Sequence, residues 1–302
     1  MASVRSIALA AALLAHMSVG VTFAATQFLP REGGHLAYEV TGDHGPWVIA
    51  LPGMGDLRGQ YRFLAPRLVQ AGYRVATMDV RGQGESSVHW QDYSARAAGA
   101  DVLALMRHLG ADKAVVLGNS FAAGAGLWAA RERPDKVQAI GMLGPIVRDL
   151  PSSGMTRAVV QLGFAGPWRR WFWMTYWDSL FPGLKPDDQA AYRALLTANL
   201  GEQGRMAALR NMVALSKSDT EALLDQVTVP VLIVMGTRDP DFSDPTAEAH
   251  WLAGRLKAHV NLVNEAGHYP HVEAPERVAN DIVQFLNGLE GRQCQDVRLR
   301  IP

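Results

Sequence analysis

Apolar and polar positions follow two alternating patterns along most of this chain. Residues 35–41 (HLAYEVT) alternate with a period of two, which predicts a half-buried strand. Residues 47–51 (WVIAL) form a short apolar run closed by Pro52 and Gly53, the pattern of a buried strand ending in a loop. Residues 60–71 carry apolar side chains at Phe63, Leu64, Leu68 and Val69, a helical spacing that Gly72 ends. Residues 74–78 predict the next strand. Ser94 is placed to cap a helix running to about Leu109, before Gly110. A strand over 113–117, a helix over 121–133 and a strand over 137–143 follow. The alternation stops near Leu150 and resumes with a β-branched run at 229–235. A helix over 244–256, a strand over 259–263 and a last helix over 276–289 complete it. Pro275 fits the start of that helix, because the first helical N–H needs no partner. The polar tail from residue 291 to 302 is expected to fray.

Strand–helix alternation of this kind predicts an α/β fold, a mostly parallel central sheet with helices on both faces. Residues 26–149 and 225–290 are expected to form that body. Residues 150–224 interrupt it as a helical cap, inserted before the last two strands. The cap is rich in large rings. Phe164, Trp168, Trp171, Phe172, Trp173, Tyr176, Trp177 and Phe181 fall close together, with helical segments following at 190–200 and 206–215. Ligands of open α/β sheets bind at the carboxyl edge of the strands, which such a cap would cover. Trp168, Trp171, Trp173 and Trp177 are therefore candidates for a substrate pocket. The alternative is that they pack the cap onto the body.

Residues 1–25 have another character. Arg5 precedes an uninterrupted apolar run over 7–15, and small residues follow at Gly20, Ala24 and Ala25. This is the layout of a secretory signal peptide. The run is short of the ~20 residues of a membrane span. Export to the periplasm or the extracellular space is expected; retention of the segment as an uncleaved membrane anchor is the alternative.

The chain has 302 residues, with 29 Lys+Arg balancing 29 Asp+Glu. Zero formal charge argues against a nucleic-acid partner. The single cysteine, Cys294, excludes an internal disulfide framework and any multi-thiolate metal site. His35, His44, His89, His108, His250 and His259 show no ligand spacing. A small-molecule substrate, with no metal and no cofactor, is the expectation.

The sharpest local signal is residues 115–124 (VVLGNSFAAG), a strand running through a glycine and a serine into a helix. That is the setting of a nucleophile elbow, a strained turn that lifts the serine hydroxyl above the sheet. The usual spacing is G-x-S-x-G, and Ala122 stands at its last position. Four further segments accompany it in order. They are 51–55 (LPGMG) after a strand, 79–86 (DVRGQGES), 236–241 (GTRDPD) after a strand, and 267–271 (GHYPH) after the last strand.

On these segments the chain resembles the α/β-hydrolase fold family over residues 33–289, in its serine hydrolase branch with a helical cap. The resemblance implies Ser120 as nucleophile, His268 as general base and Asp239 as the acid that orients the histidine. It also implies an oxyanion hole from the N–H groups of Met54 and Phe121. Asp241 and Asp149 are rival acids, and His271 is a rival base. Asp79 and Arg81 belong to a loop that is structural in similar proteins.

The implied activity is hydrolysis of an ester-like bond in a small, partly hydrophobic substrate through an acyl-enzyme. Alternatives on the same three residues are C–C bond hydrolysis, lactone hydrolysis and cofactor-free perhydrolysis. A catalytically silent binding protein is a further alternative. Haloalkane dehalogenases and epoxide hydrolases are similar in cap placement but use an aspartate at the elbow, where this chain has Ser120.

Overall fold

The computed structural model describes residues 25–151 and 153–298. The expected signal peptide lies almost wholly outside them. Eight strands form one sheet: β1 (Gln27–Arg31), β2 (Gly34–Thr41), β3 (Trp47–Leu51), β4 (Arg74–Met78), β5 (Ala114–Asn119), β6 (Val137–Leu143), β7 (Val231–Gly236) and β8 (His259–Val263). Their spatial order is β1-β2-β4-β3-β5-β6-β7-β8. The first two pairings, β1 with β2 and β2 with β4, are antiparallel. Every other neighbour is parallel. β3 and β5 lie in the middle and are buried along their whole length, which is why WVIAL reads as continuously apolar.

Helices cover both faces of the sheet. On one side α2 (Ala95–His108), α3 (Ala123–Glu132) and α9 (Pro245–Leu256) bury Val102, Leu105, Leu127 and Leu252 against Ile49, Val116, Ile140 and Ile233. On the other, α1 (Leu64–Gln70) and α11 (Pro275–Arg298) bury Leu68, Val278, Ile282 and Leu286 against Val48, Val115, Leu232 and Val234. Strand residues of alternating parity thus feed opposite faces, as the pleat requires. Ser94 caps α2 by accepting from the Ala97 N–H, and Asp244 caps α9 from Ala247.

The cap is α4 (Gly154–Ala165), α5 (Arg169–Ser179), α6 (Gln189–Gly201), α7 (Arg205–Ala214) and the single turn α8 (Ser218–Glu221). It has its own apolar cluster, with Phe164, Trp173, Trp177, Tyr192, Leu196 and Leu209 at its centre. Polar bonds tie it to the loops at the carboxyl ends of the strands. Asn199 exchanges hydrogen bonds with the backbone of Gly84, and the Leu180 carbonyl accepts from the His268 N–H at 3.0 Å.

Three expectations need correction. β1 went unread because QFLPR buries only Leu29 and contains Pro30; as an edge strand it needs no alternating pattern. The helix after the elbow begins at Ala123, preceded by a 3-10 turn over Ser120–Ala122. The tail expected to fray instead continues α11 as far as Arg298. Among the described residues no helix is long and apolar enough to cross a membrane.

Candidate active site

The end of β5 sets the site. Ser120 follows Asn119 with φ +57°, a left-handed conformation costly for a side chain other than glycine. Gly118 makes the turn possible, since a Cβ there would run into the Ala122 carbonyl. Ala122 is fully buried, and its methyl fits where the motif has its second glycine. The elbow is braced by Ile146, whose N–H donates to the Ser120 carbonyl at 3.2 Å.

His268 reaches this point from the loop after β8. The Asn119 side-chain amide donates to the carbonyls of Leu143 (2.8 Å) and His268 (3.2 Å), tying the histidine's backbone to the residue beside the nucleophile. Glu273, in the short helix α10 (Pro270–Glu273), accepts from the N–H of Gly267 at 2.8 Å and of Tyr269 at 3.2 Å. Burial raises the Glu273 carboxyl to about 7 even so. The imidazole is buried. Its Nδ1 lies 2.8 Å from Asp239 Oδ2 and 3.4 Å from Asp241 Oδ2. That leaves Nε2 without a hydrogen-bond partner among the described residues. No hydrogen bond to the Ser120 hydroxyl occurs among the described residues; such bonds commonly tighten only when substrate is bound. Burial pulls the imidazolium pKa down, but the two carboxylates outweigh it and hold the group up at about 9.

The rival acids differ in their partners. Asp239 is buried after β7, and its Oδ1 accepts from the Asp241 N–H at 3.0 Å. Asp241 accepts the Tyr176 hydroxyl on both oxygens, at 2.8 and 2.9 Å. Asp149 is turned to the cap, accepting from Ser216 Oγ and the Lys217 N–H. His271 is buried in the body, not at the nucleophile. Burial first, then the charges of His268 and Arg62, push its pKa down to about 3, so it is neutral.

Neutral His271 has a different task. Gln60 accepts the Gly53 N–H at 3.2 Å, which fixes its amide so that Nε2 donates to His271 Nε2 at 2.7 Å. This fastens the loop after β3 that carries Met54. Asp56 fastens the same loop to the cap, accepting from the Tyr192 hydroxyl at 2.6 Å and the Leu57 N–H at 2.7 Å. Among the described residues the Met54 N–H has no acceptor, and Phe121 lies in the first helical turn, where N–H groups lack intrahelical partners. These are the two N–H groups that the family resemblance assigns to an oxyanion hole.

The four tryptophans part company. Trp168 and Trp171 are 52% and 68% exposed. Trp177 is buried against Phe181, Tyr192 and Tyr269. Trp173 is buried over the oxyanion loop: a Cβ at Gly55, whose φ is +70°, would lie 2.5 Å from its Nε1. The aromatic run is helical, so one face meets the loops and the other meets solvent.

Asp79 and Arg81 brace loops. Buried Asp79 accepts from the Arg58 N–H, the Arg58 guanidinium and the Glu85 N–H. Arg81 forms a paired bond to Asp101, at 2.6 and 2.9 Å. Asp239, Asp241 and His268 also bring three potential ligand atoms within 4.8 Å of one another. Within that group Nδ1 is bonded to Asp239, and Asp241 also accepts the Tyr176 hydroxyl.

Comparison with known proteins places this chain. The family described as the alpha/beta hydrolase fold matches residues 46–275, and the chain belongs to it. It is similar to the 3-oxoadipate enol-lactonase 1 of Acinetobacter baylyi, 24% identical over 86% of this chain and 96% of that protein. It is also similar to the Karrikin insensitive 2 receptor IA of Petunia hybrida, 25% identical over 80% of this chain and 90% of the receptor. Among solved structures, the enol-lactonase from Burkholderia xenovorans superposes with a TM-score of 0.71 at 20% identity, over 86% of this chain and 100% of that one.

Proposed function

We propose that this protein is a serine hydrolase that cleaves an ester-like bond, lactones included, through an acyl-enzyme on Ser120. The observation that carries the reading is the buried 2.8 Å contact of His268 with Asp239, on a loop bonded to Asn119, the residue before a serine held at φ +57°. Ser120 Oγ attacks the carbonyl carbon and passes its proton to His268 Nε2. The carbonyl oxygen becomes an oxyanion between the Met54 and Phe121 N–H groups. Collapse expels the alcohol, which takes the proton from His268. Water then attacks the acyl carbon, again giving its proton to His268, and the acid leaves with Ser120 restored. Asp239 holds the imidazole in the tautomer this sequence needs and stabilises its cation. No step calls for a cofactor.

Relatives named as an enol-lactonase and a receptor frame the choice between catalysis and silent binding. Serine, histidine and acid together favour catalysis. Stopped-flow hydrolysis of p-nitrophenyl esters tests it. The expected result is a burst of one p-nitrophenol per protein, absent in Ser120→Ala; no turnover of any ester or lactone would leave the binding reading in place. Export of the mature chain is likewise a proposal, supported by the pattern of residues 1–25 and tested by sequencing the N-terminus of the protein recovered from the medium or periplasm.

A further inference from the structure

We propose that Lys217 forms a carboxylate-binding subsite beside the nucleophile, so that the preferred substrate carries a carboxylate a few bonds from its scissile carbonyl. The inference rests on the hydrolase reading above and narrows its substrate class.

A small cavity of ≈ 20 Å³ lies against Phe121, the residue after Ser120, bounded by Met54 and Phe121 on the body side and by Ile146, Met212, Leu215, Ser216 and Lys217. The two residues that offer oxyanion donors therefore share a wall with a lysine. Most of that wall is apolar. Lys217 lies in the linker between α7 and α8, and Asp149 holds it from behind. Asp149 Oδ1 accepts the Lys217 N–H at 2.9 Å, and Oδ2 accepts the Ser216 hydroxyl at 2.5 Å.

The ammonium itself is unclaimed. Among the described residues it makes no hydrogen bond and no ion pair within 4.0 Å. Arginines elsewhere around the cap and loops behave differently: Arg58, Arg62, Arg81, Arg148 and Arg205 all sit against carboxylates. Two further acids stand near. Asp219 also borders the cavity, but its Oδ1 is taken by the N–H (2.7 Å) and hydroxyl (3.3 Å) of Thr220. Asp241 faces Tyr176 and His268.

Burial pushes the Lys217 pKa down, with the more distant Asp149 and Asp241 only partly offsetting it. The partly buried ammonium has no charged partner within 4.0 Å among the described residues, and a carboxylate brought by the substrate would supply one. The present cavity holds about one water. Met54 and Met212 are the flexible part of its wall and can repack around a short anionic chain.

The test compares matched substrates. One pair is p-nitrophenyl hydrogen glutarate against p-nitrophenyl pentanoate, with the carboxylate on the acyl side. The other is meta-acetoxybenzoate against meta-acetoxybenzamide, with it on the leaving group. The wild type is expected to favour the carboxylate member of at least one pair in kcat/KM. Lys217→Met is expected to cut that ratio by about tenfold or more, chiefly through KM, and Lys217→Arg to keep much of it. A wild type with no preference in either pair, or a ratio unmoved in Lys217→Met, overturns the subsite. Thermal-shift titration with glutarate reads the same site without turnover: the wild type is stabilised and Lys217→Met is not. Stabilisation by glutarate with no ester hydrolysis would sink the hydrolase reading while keeping the subsite, and ester hydrolysis without an anion preference does the reverse.

Discussion

His268 Nδ1 stands 2.8 Å from Asp239 Oδ2 with both side chains buried, and a second carboxylate, Asp241, waits 3.4 Å away. One imidazole thus answers to two acids. Burial alone would disfavour the imidazolium, yet the carboxylates hold its pKa up at about 9. A base must be unprotonated to accept the Ser120 proton, so kcat/KM is expected to climb with pH through the neutral range and to reach half its plateau near that value. Asp241→Asn removes one negative neighbour and should slide the rising limb to lower pH. A pH–rate profile of both proteins checks this; coincident limbs would remove Asp241 from the account.

The two histidines of the last loop should differ in what they cost catalysis. His268→Ala is expected to lower kcat by about three orders of magnitude or more, and to lower stability as well, because it removes the base and leaves the buried Asp239 carboxylate without its partner. His271→Ala should leave Gln60 without its acceptor and open a cavity under Tyr61, which stacks on the imidazole at 5.2 Å. A stability loss of about 1–3 kcal/mol is expected, with a smaller fall in kcat. Chemical denaturation beside ester assays separates them. Large loss of kcat in His271→Ala with unchanged stability would reassign the base.

Strain at the nucleophile gives a third expectation. At φ +57° Ser120 sits where glycine is at ease. Ser120→Gly should therefore abolish turnover and raise stability by about 1 kcal/mol, whereas Ser120→Ala abolishes turnover and keeps the strain. Equal melting temperatures for the two variants would show that the elbow stores no strain.

Asp56 lies two residues past Met54 and joins the oxyanion loop to the cap. Asp56→Ala strands the Leu57 N–H and the Trp177 Nε1–H and leaves the Tyr192 hydroxyl only its longer bond to the Leu57 carbonyl. The expected cost is about 1–3 kcal/mol of stability for each buried donor left alone, with a fall in kcat as Met54 loses its support. Tyr192→Phe should show the stability loss in smaller measure. If Asp56→Ala keeps full kcat, the loop holds its geometry without the cap.

Much of this was legible before the fold was seen, and the reason is physical. Buried parallel strands leave unbroken apolar runs, so WVIAL and VLIVM could be read directly, and glycines and prolines marked the loops between them. Ser120, Asp239 and His268 were legible because a strained turn and two loop ends impose local spacing. What escaped depends on contacts distant in sequence. Gln60 and His271 meet across 211 positions, and Asp56 and Tyr192 across 136, with nothing local to announce either pair. Which of the tryptophans would be exposed and which buried was not legible, because composition gives the number of rings in a helix but not which face meets the body. Lys217 passed unnoticed for the converse reason: an ordinary surface-type residue in a polar linker acquires meaning only from what packs around it.

Labelling with a fluorophosphonate, followed by peptide mass spectrometry, probes the central claim most directly. The account predicts a single phosphonylated residue, Ser120, in the wild-type protein, and labelling that is lost in Ser120→Ala and slowed sharply in His268→Ala. An adduct on any other residue, or labelling undiminished in Ser120→Ala, would contradict it.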